Sequence, residues 1–100
     1  MAHLRIWKFR PPAAREQEFA EAYSAEGVWT QLFQHAPGFR GTTLLKATEP
    51  EGWWLTIDRW DSLANFKAFT EVFAEQYCAL DAELEGAAGE EQFVGAFEED

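Results

Sequence analysis

The sequence predicts an α+β fold: a four-stranded antiparallel sheet with two helices against one face. Three observations predict it. Short stretches with period-two alternation open the chain, close it and form a pair near its middle. Two longer stretches with apolar residues three and four apart fill the gaps. A length of 100 residues, with 47% hydrophobic and 16% aromatic side chains, suits one domain over residues 1–100 with a single thin core.

The first strand is expected over residues 2–10. Leu4 and Ile6 share one face; Arg5, Trp7 and Phe9 share the other. Pro11-Pro12 ends it, and Pro12 suits the first turn of a helix. Residues 13–36 read as helical, with Glu16 and Glu18 near the positive end of the helix dipole. Phe19, Ala22 and Tyr23 share a face, and Val28, Leu32 and Ala36 continue a stripe beside Trp29 and Phe33. The phase slips at Ser24-Ala25-Glu26-Gly27, so a kink or break is expected there. Pro37-Gly38 stops the helix.

Strands over 40–48 and 52–60 are joined by the turn Glu49-Pro50-Glu51-Gly52. In the second of them Trp53, Leu55 and Ile57 face one way; Trp54, Thr56, Asp58 and Trp60 face the other. Asp61 or Ser62 caps a second helix, whose stripe runs through Leu63, Phe66, Phe69, Phe73, Tyr77, Leu80 and Leu84 to a stop at Gly86. Residues 91–97 form the last strand, with Gln92, Val94 and Ala96 opposed to Phe93, Gly95 and Phe97.

The order β-α-β-β-α-β is the ferredoxin-like split arrangement, in which the last strand pairs with the first. Charge agrees. Residues 71–100 are rich in Asp and Glu and lack Lys and Arg, while the first strand carries Arg5, Lys8 and Arg10. Two helices cover one sheet face only. Trp7, Phe9, Trp54 and Trp60 are expected on the uncovered face, where a homodimer packed sheet on sheet would bury them.

Composition excludes several functions. A net charge of −10 repels phosphate backbones, so no nucleic-acid partner is expected. One cysteine excludes an intramolecular disulfide and a cysteine-rich metal site, and His3 and His35 have no carboxylate cluster beside them, so no metal site is expected. No apolar run is long enough to cross a membrane. The opening Met1-Ala2-His3-Leu4-Arg5 has no apolar signal region behind it, so the expected compartment is the cytoplasm. There is no Gly-rich phosphate loop and no Ser-His-Asp pattern.

The residues that carry chemistry are few. Tyr23 and Tyr77 lie on inward stripes, where a phenol hydroxyl can bind a substrate oxygen; the plainer reading is a core Tyr with its hydroxyl at the surface. Trp29, Trp54 and Trp60 suit an aromatic-lined pocket for a planar ligand; the plainer reading is core and dimer-interface packing. Phe69 joins them as a candidate ligand-contacting ring. Asp58 is an inward strand carboxylate that needs a partner or a raised pKa. It is the candidate general base, or else an ion-pair member with Arg5 or an Arg of the partner subunit. Asp58 and Tyr77 are the catalytic candidates; Tyr23, Trp29, Trp60 and Phe69 the ligand-binding ones. Cys78 has no His beside it and reads as a small, partly buried thiol.

Several segments together resemble the antibiotic-biosynthesis-monooxygenase family of dimeric α/β barrels. They are Phe9-Arg10-Pro11, Ala36-Pro37-Gly38-Phe39-Arg40-Gly41, and Trp54-Leu55-Thr56-Ile57-Asp58-Arg59-Trp60-Asp61-Ser62 running into Phe66. The Tyr23, Gly27, Trp29, Leu32-Phe33 run is similar to that of uncharacterised bacterial members. The resemblance spans about residues 2–97. It implies a homodimeric barrel and either of two functions. One is a cofactor-independent monooxygenase acting on a phenol- or quinone-like molecule, with no cofactor. The other is a non-catalytic dimeric module for ligand binding or stress. Haem-degrading members use an Asn on the first strand and a His on the second helix. Here the only Asn is Asn65, neither His lies on that helix, and Tyr77 falls near the ligand position. Haem degradation is not expected.

Overall fold

The first strand, β1 (His3–Arg10), runs through the interior of a four-stranded sheet. In this computed structural model, which describes residues 2–100, the strand order is β2-β3-β1-β4 and every pairing is antiparallel. The other strands are β2 (Phe39–Lys46), β3 (Trp54–Trp60) and β4 (Glu90–Glu98). The last strand pairs with the first, as the split β-α-β order requires.

Each of the two expected helices is two. The first divides into α1 (Glu16–Tyr23), after a 3₁₀ turn at Ala13–Arg15, and α2 (Val28–Phe33). The break falls on the phase slip. A Cβ on Gly27 would collide with the carbonyl oxygens of Glu21 and Ala22, so the chain turns there only because Gly27 has none. The second divides into α3 (Leu63–Val72) and α4 (Ala74–Ala88), with non-helical backbone at Phe73 (φ −109°, ψ 23°). The unbroken stripe through Phe69, Phe73 and Tyr77 hides this kink, because helix spacing survives it. Ser62, not Asp61, is the cap: its hydroxyl accepts from the Asn65 amide at 3.1 Å. Asn65 in turn donates to the Pro37 carbonyl at 3.3 Å, fastening α3 to the turn before β2. The stop is Gly89 at φ 66°, not Gly86.

The helices cover the face formed by His3, Arg5, Trp7 and Phe9 of β1 with Trp54, Thr56, Asp58 and Trp60 of β3. Phe9 packs on Phe19 and Tyr23 of α1, and Trp60 on Phe66 and Phe69 of α3. This corrects the expectation that Trp7, Phe9, Trp54 and Trp60 lie on the uncovered face. They are the floor of the core, and Trp60, Phe19 and Phe69 are its fully buried members. Large aromatic groups on both strand faces gave no sign of which face the helices take. The uncovered face carries Leu4, Ile6, Leu55, Ile57, Leu45 and Phe97 instead. A register shift between Ile6 and Trp7 against β4 puts Phe93 beside Trp7 on the helix face and Phe97 opposite Leu4 on the other. Simple alternation had placed those two rings together.

Candidate functional site

At its Trp60 end the layer between helices and sheet is filled by rings. Trp60 meets Phe33, Phe39, Phe66 and Phe69 at centroid distances of 5.1–5.7 Å. Further along, the sequence changes from rings to Thr56 and Asp58 on the inward side of β3 and Thr42 on β2, and the layer opens into a cleft. The cleft is shallow, with about 60 Å³ of free space that opens to solvent at its mouth. Its floor is Thr42, Thr56 and Asp58; its walls are Trp7, Phe9, Tyr23, Trp29, Phe33 and Tyr77; Asp81 of α4 and Glu91 of β4 are exposed at its mouth.

Asp58 accepts a hydrogen bond from Thr42 Oγ1 at 2.6 Å across the β2–β3 ladder. Burial raises its pKa to about 6, against the opposing effects of the Thr42 hydrogen bond and the Arg5 charge. Arg5 is its cross-strand partner on β1. The Arg5 guanidinium, however, sits 3.9 Å from the Phe66 ring centroid and 4.8 Å from that of Phe93. The sequence offered Asp58 as base or as ion-pair member with Arg5 or an Arg of the partner subunit; within the chain the hydrogen bond it makes is to Thr42.

Tyr23 stacks on Phe19 at 4.5 Å, and Tyr77 meets Trp29 at 5.2 Å. Burial is the main cause that raises both phenol pKa values, and the carboxylates of Asp81 and Glu91 add to it. The Trp29 indole works against the rise at Tyr23, although its Nε1 is buried without a hydrogen bond of good geometry. Glu91 also holds its proton more tightly than usual, through burial first and then the Asp81 charge.

Of the residues singled out from sequence, Asp58, Tyr77, Tyr23 and Trp29 converge on this cleft. Trp60 and Phe69 do not line it; they are 0% and 1% exposed and belong to the filled end of the layer. Trp54 lies under α1, 5.7 Å from Phe19, and donates to Glu16 at 3.4 Å. Sequence reading missed Trp7, Thr42, Asp81 and Glu91. Inward polar residues at facing positions of two strands, Thr42 and Asp58, were the available signal. Asp81 and Glu91 were lost in an acidic segment. Among the described residues no group of three His, Cys, Asp or Glu is placed to hold a metal ion, and no helix is long and apolar enough to cross a membrane.

A family model for antibiotic biosynthesis monooxygenases matches residues 3–72. No curated protein matches the sequence. Solved structures do. An antibiotic biosynthesis monooxygenase-like protein from Bordetella bronchiseptica is 18% identical with a TM-score of 0.75, the match covering 99% of this chain and 97% of that one. A monooxygenase of Streptomyces coelicolor, solved with nanaomycin D, is 16% identical with a TM-score of 0.74, covering 99% and 88%. SnoaB, a cofactor-independent oxygenase from Streptomyces nogalater, is 20% identical with a TM-score of 0.64, covering 98% and 92%. At these identities the likeness establishes the fold.

Proposed function

The chain belongs to the antibiotic biosynthesis monooxygenase family, and from that premise we propose that the cleft binds a small planar aromatic molecule bearing a hydroxyl group. One observation carries this reading: aromatic walls and an inward carboxylate with a pKa near 6 meet in a single open cleft. Rings supply stacking surface. Asp58, with Thr42 fixing one of its oxygens, supplies a proton acceptor stronger than an ordinary carboxylate. Two similar structures support the reading, one a cofactor-independent oxygenase and one solved with nanaomycin D.

A second reading adds turnover. Asp58 takes the phenolic proton, and the electron-rich ring carbon then reduces molecular oxygen. The hydroperoxide formed on that carbon loses water, leaving a quinone. Phenol and O₂ become quinone and water, the ring losing four electrons and O₂ gaining them, with no cofactor consumed. Asp81 and Glu91 oppose formation of the phenolate, so binding stands ahead of turnover. Saturable quenching of Trp fluorescence by simple phenols, at one ligand per chain, tests binding. An oxygen electrode tests turnover: binding without oxygen uptake removes the monooxygenase reading and leaves the binding module.

We also propose that two copies pair through the uncovered sheet face, where Leu4, Ile6, Leu55 and Ile57 make an apolar surface that no helix of the chain covers. Light scattering should give twice the 11.4 kDa chain mass. Ile57→Asp should yield folded monomer, and a wild-type monomer at micromolar concentration contradicts the pairing.

A further inference from the structure

Building on the reading of the cleft as an aromatic-ligand site, we propose that its ligand is a hydroxylated aryl-alkylamine, bound with the ring and hydroxyl inward and a protonated amine at the mouth. Three features of the cleft lead there.

The first is charge. Asp58, Asp81 and Glu91 line the cleft, and among the described residues no Lys, Arg or His does. Seven of the chain's eight cations are engaged elsewhere, and the eighth, Lys67 of α3, does not line the cleft. Arg59 donates to Thr43. Arg15 pairs with Glu18, Arg40 with Asp61, and Lys46 with Glu16; Lys8 and Arg10 lie against Trp53. Arg5 is held between Phe66 and Phe93. The two mouth carboxylates therefore share the cleft without a cation, and the Asp81 charge adds to burial in raising the proton affinity of Glu91. A ligand ammonium relieves that repulsion, whereas a ligand carboxylate worsens it.

The second feature is the walls. Trp7, Trp29, Tyr23 and Tyr77 line the cleft, and aromatic rings attract a cation as well as stack on a flat ligand. The carboxylates are not gathered to hold a metal ion, so an organic cation fits this lining and a divalent ion does not. Trp29 is 7% exposed, and its buried Nε1 makes no hydrogen bond of good geometry. A ligand hydroxyl oxygen in the interior would accept from it.

The third is separation. Asp58 stands opposite Arg5 of β1, and Glu91 opposite Phe9. Four residues along a strand is about 13 Å, and Asp58 and Glu91 also lie two strand spacings, about 10 Å, apart across the sheet, so their backbones are about 16 Å apart and the reach of both side chains is needed for one ligand to meet them. The inner acceptor and the outer carboxylates are thus at different ends of the cleft. A molecule with a hydroxyl at one end and an amine at the other spans them; a phenol alone uses the inner end only.

Three probes of similar size and different charge test this: tyramine, 4-ethylphenol and 4-hydroxyphenylacetate, titrated calorimetrically into the intact chain. Tyramine should bind at least about tenfold more tightly than 4-ethylphenol, with 4-hydroxyphenylacetate weakest. Raising NaCl from about 0.05 M to about 0.5 M should narrow the gap. The double variant Asp81→Asn, Glu91→Gln changes only exposed side chains and should bring the tyramine and 4-ethylphenol affinities together. Equal affinities in the wild type, or a preference that survives in the double variant, overturns the amine assignment while leaving the aromatic cleft standing. Failure of all three probes to bind overturns both.

Discussion

Two ends of one aromatic layer behave differently. Around Trp60, rings from β2, β3, α2 and α3 interlock, and Trp60, Phe33 and Phe69 lose nearly all contact with solvent. Around Tyr77, rings equally large line an open cleft. Aromatic content does not separate the two ends. What separates them is the polar triplet Thr42, Thr56 and Asp58 on the inward strand faces of the open end, where burial already raises the Asp58 pKa to about 6 and a full seal would desolvate the carboxylate further. The difference teaches where to look in such a chain: the site is marked by the polar residues on the inward strand faces, and the rings follow.

The largest effect should come from the closed end. Trp60→Ala should cost about 3–5 kcal/mol of stability by leaving a cavity among packed rings, and Trp60→Asp should prevent folding. The same truncation at Trp7, whose ring borders open space, should cost less. Chemical denaturation of both variants checks this, and equal losses would break the contrast.

The next effect tests the open end's polar floor. The Asp58 pKa lies near 6 in the fold against an ordinary 3.8, so between those values the native state holds more protons than the unfolded state. Stability attributable to this group therefore falls as pH rises through that window, and the loss is complete above about pH 6. Asp58→Asn keeps an acceptor for Thr42 and removes the charge. It should be more stable than wild type by about 1–2 kcal/mol near pH 8, and no more stable near pH 4. Denaturation at both pH values gives the comparison. Ligand affinity should fall in the same variant, stability and binding moving in opposite directions.

The strand order and the pairing of β4 with β1 were legible in the sequence because period-two and helix-period stretches alternate with Pro and Gly stops between them. The break at Gly27 was legible from the phase slip. The kink at Phe73 was not, since Phe69, Phe73 and Tyr77 keep helical spacing across it. The covered sheet face was not legible either, because β1 and β3 carry large apolar side chains on both faces and alternation says only which residues go together. At the cleft, Tyr23, Tyr77, Trp29 and Asp58 were found by inward position. Trp7 and Thr42 needed the register between strands, and Asp81 and Glu91 needed the approach of α4 to β4.

The smallest effects are at single hydroxyls. Tyr23→Phe and Tyr77→Phe keep the ring volume and should leave stability nearly unchanged, while each weakens phenol binding by about 0.5–1.5 kcal/mol if its hydroxyl holds the ligand. Calorimetric titration of the two variants measures it, and unchanged affinity in both would leave Asp58 and the Trp29 indole as the polar contacts.

The contrast between a filled end and an open end is tested most directly by following the five Trp indole N–H resonances in two-dimensional NMR while a simple phenol such as 4-ethylphenol is added. The Trp29 and Trp7 indole signals should shift saturably, with the Trp60 signal unmoved because its ring is sealed among Phe33, Phe39, Phe66 and Phe69. Shifts at Trp60 or on the uncovered face at Trp53, with Trp29 and Trp7 silent, would contradict the assignment of the cleft as the binding site.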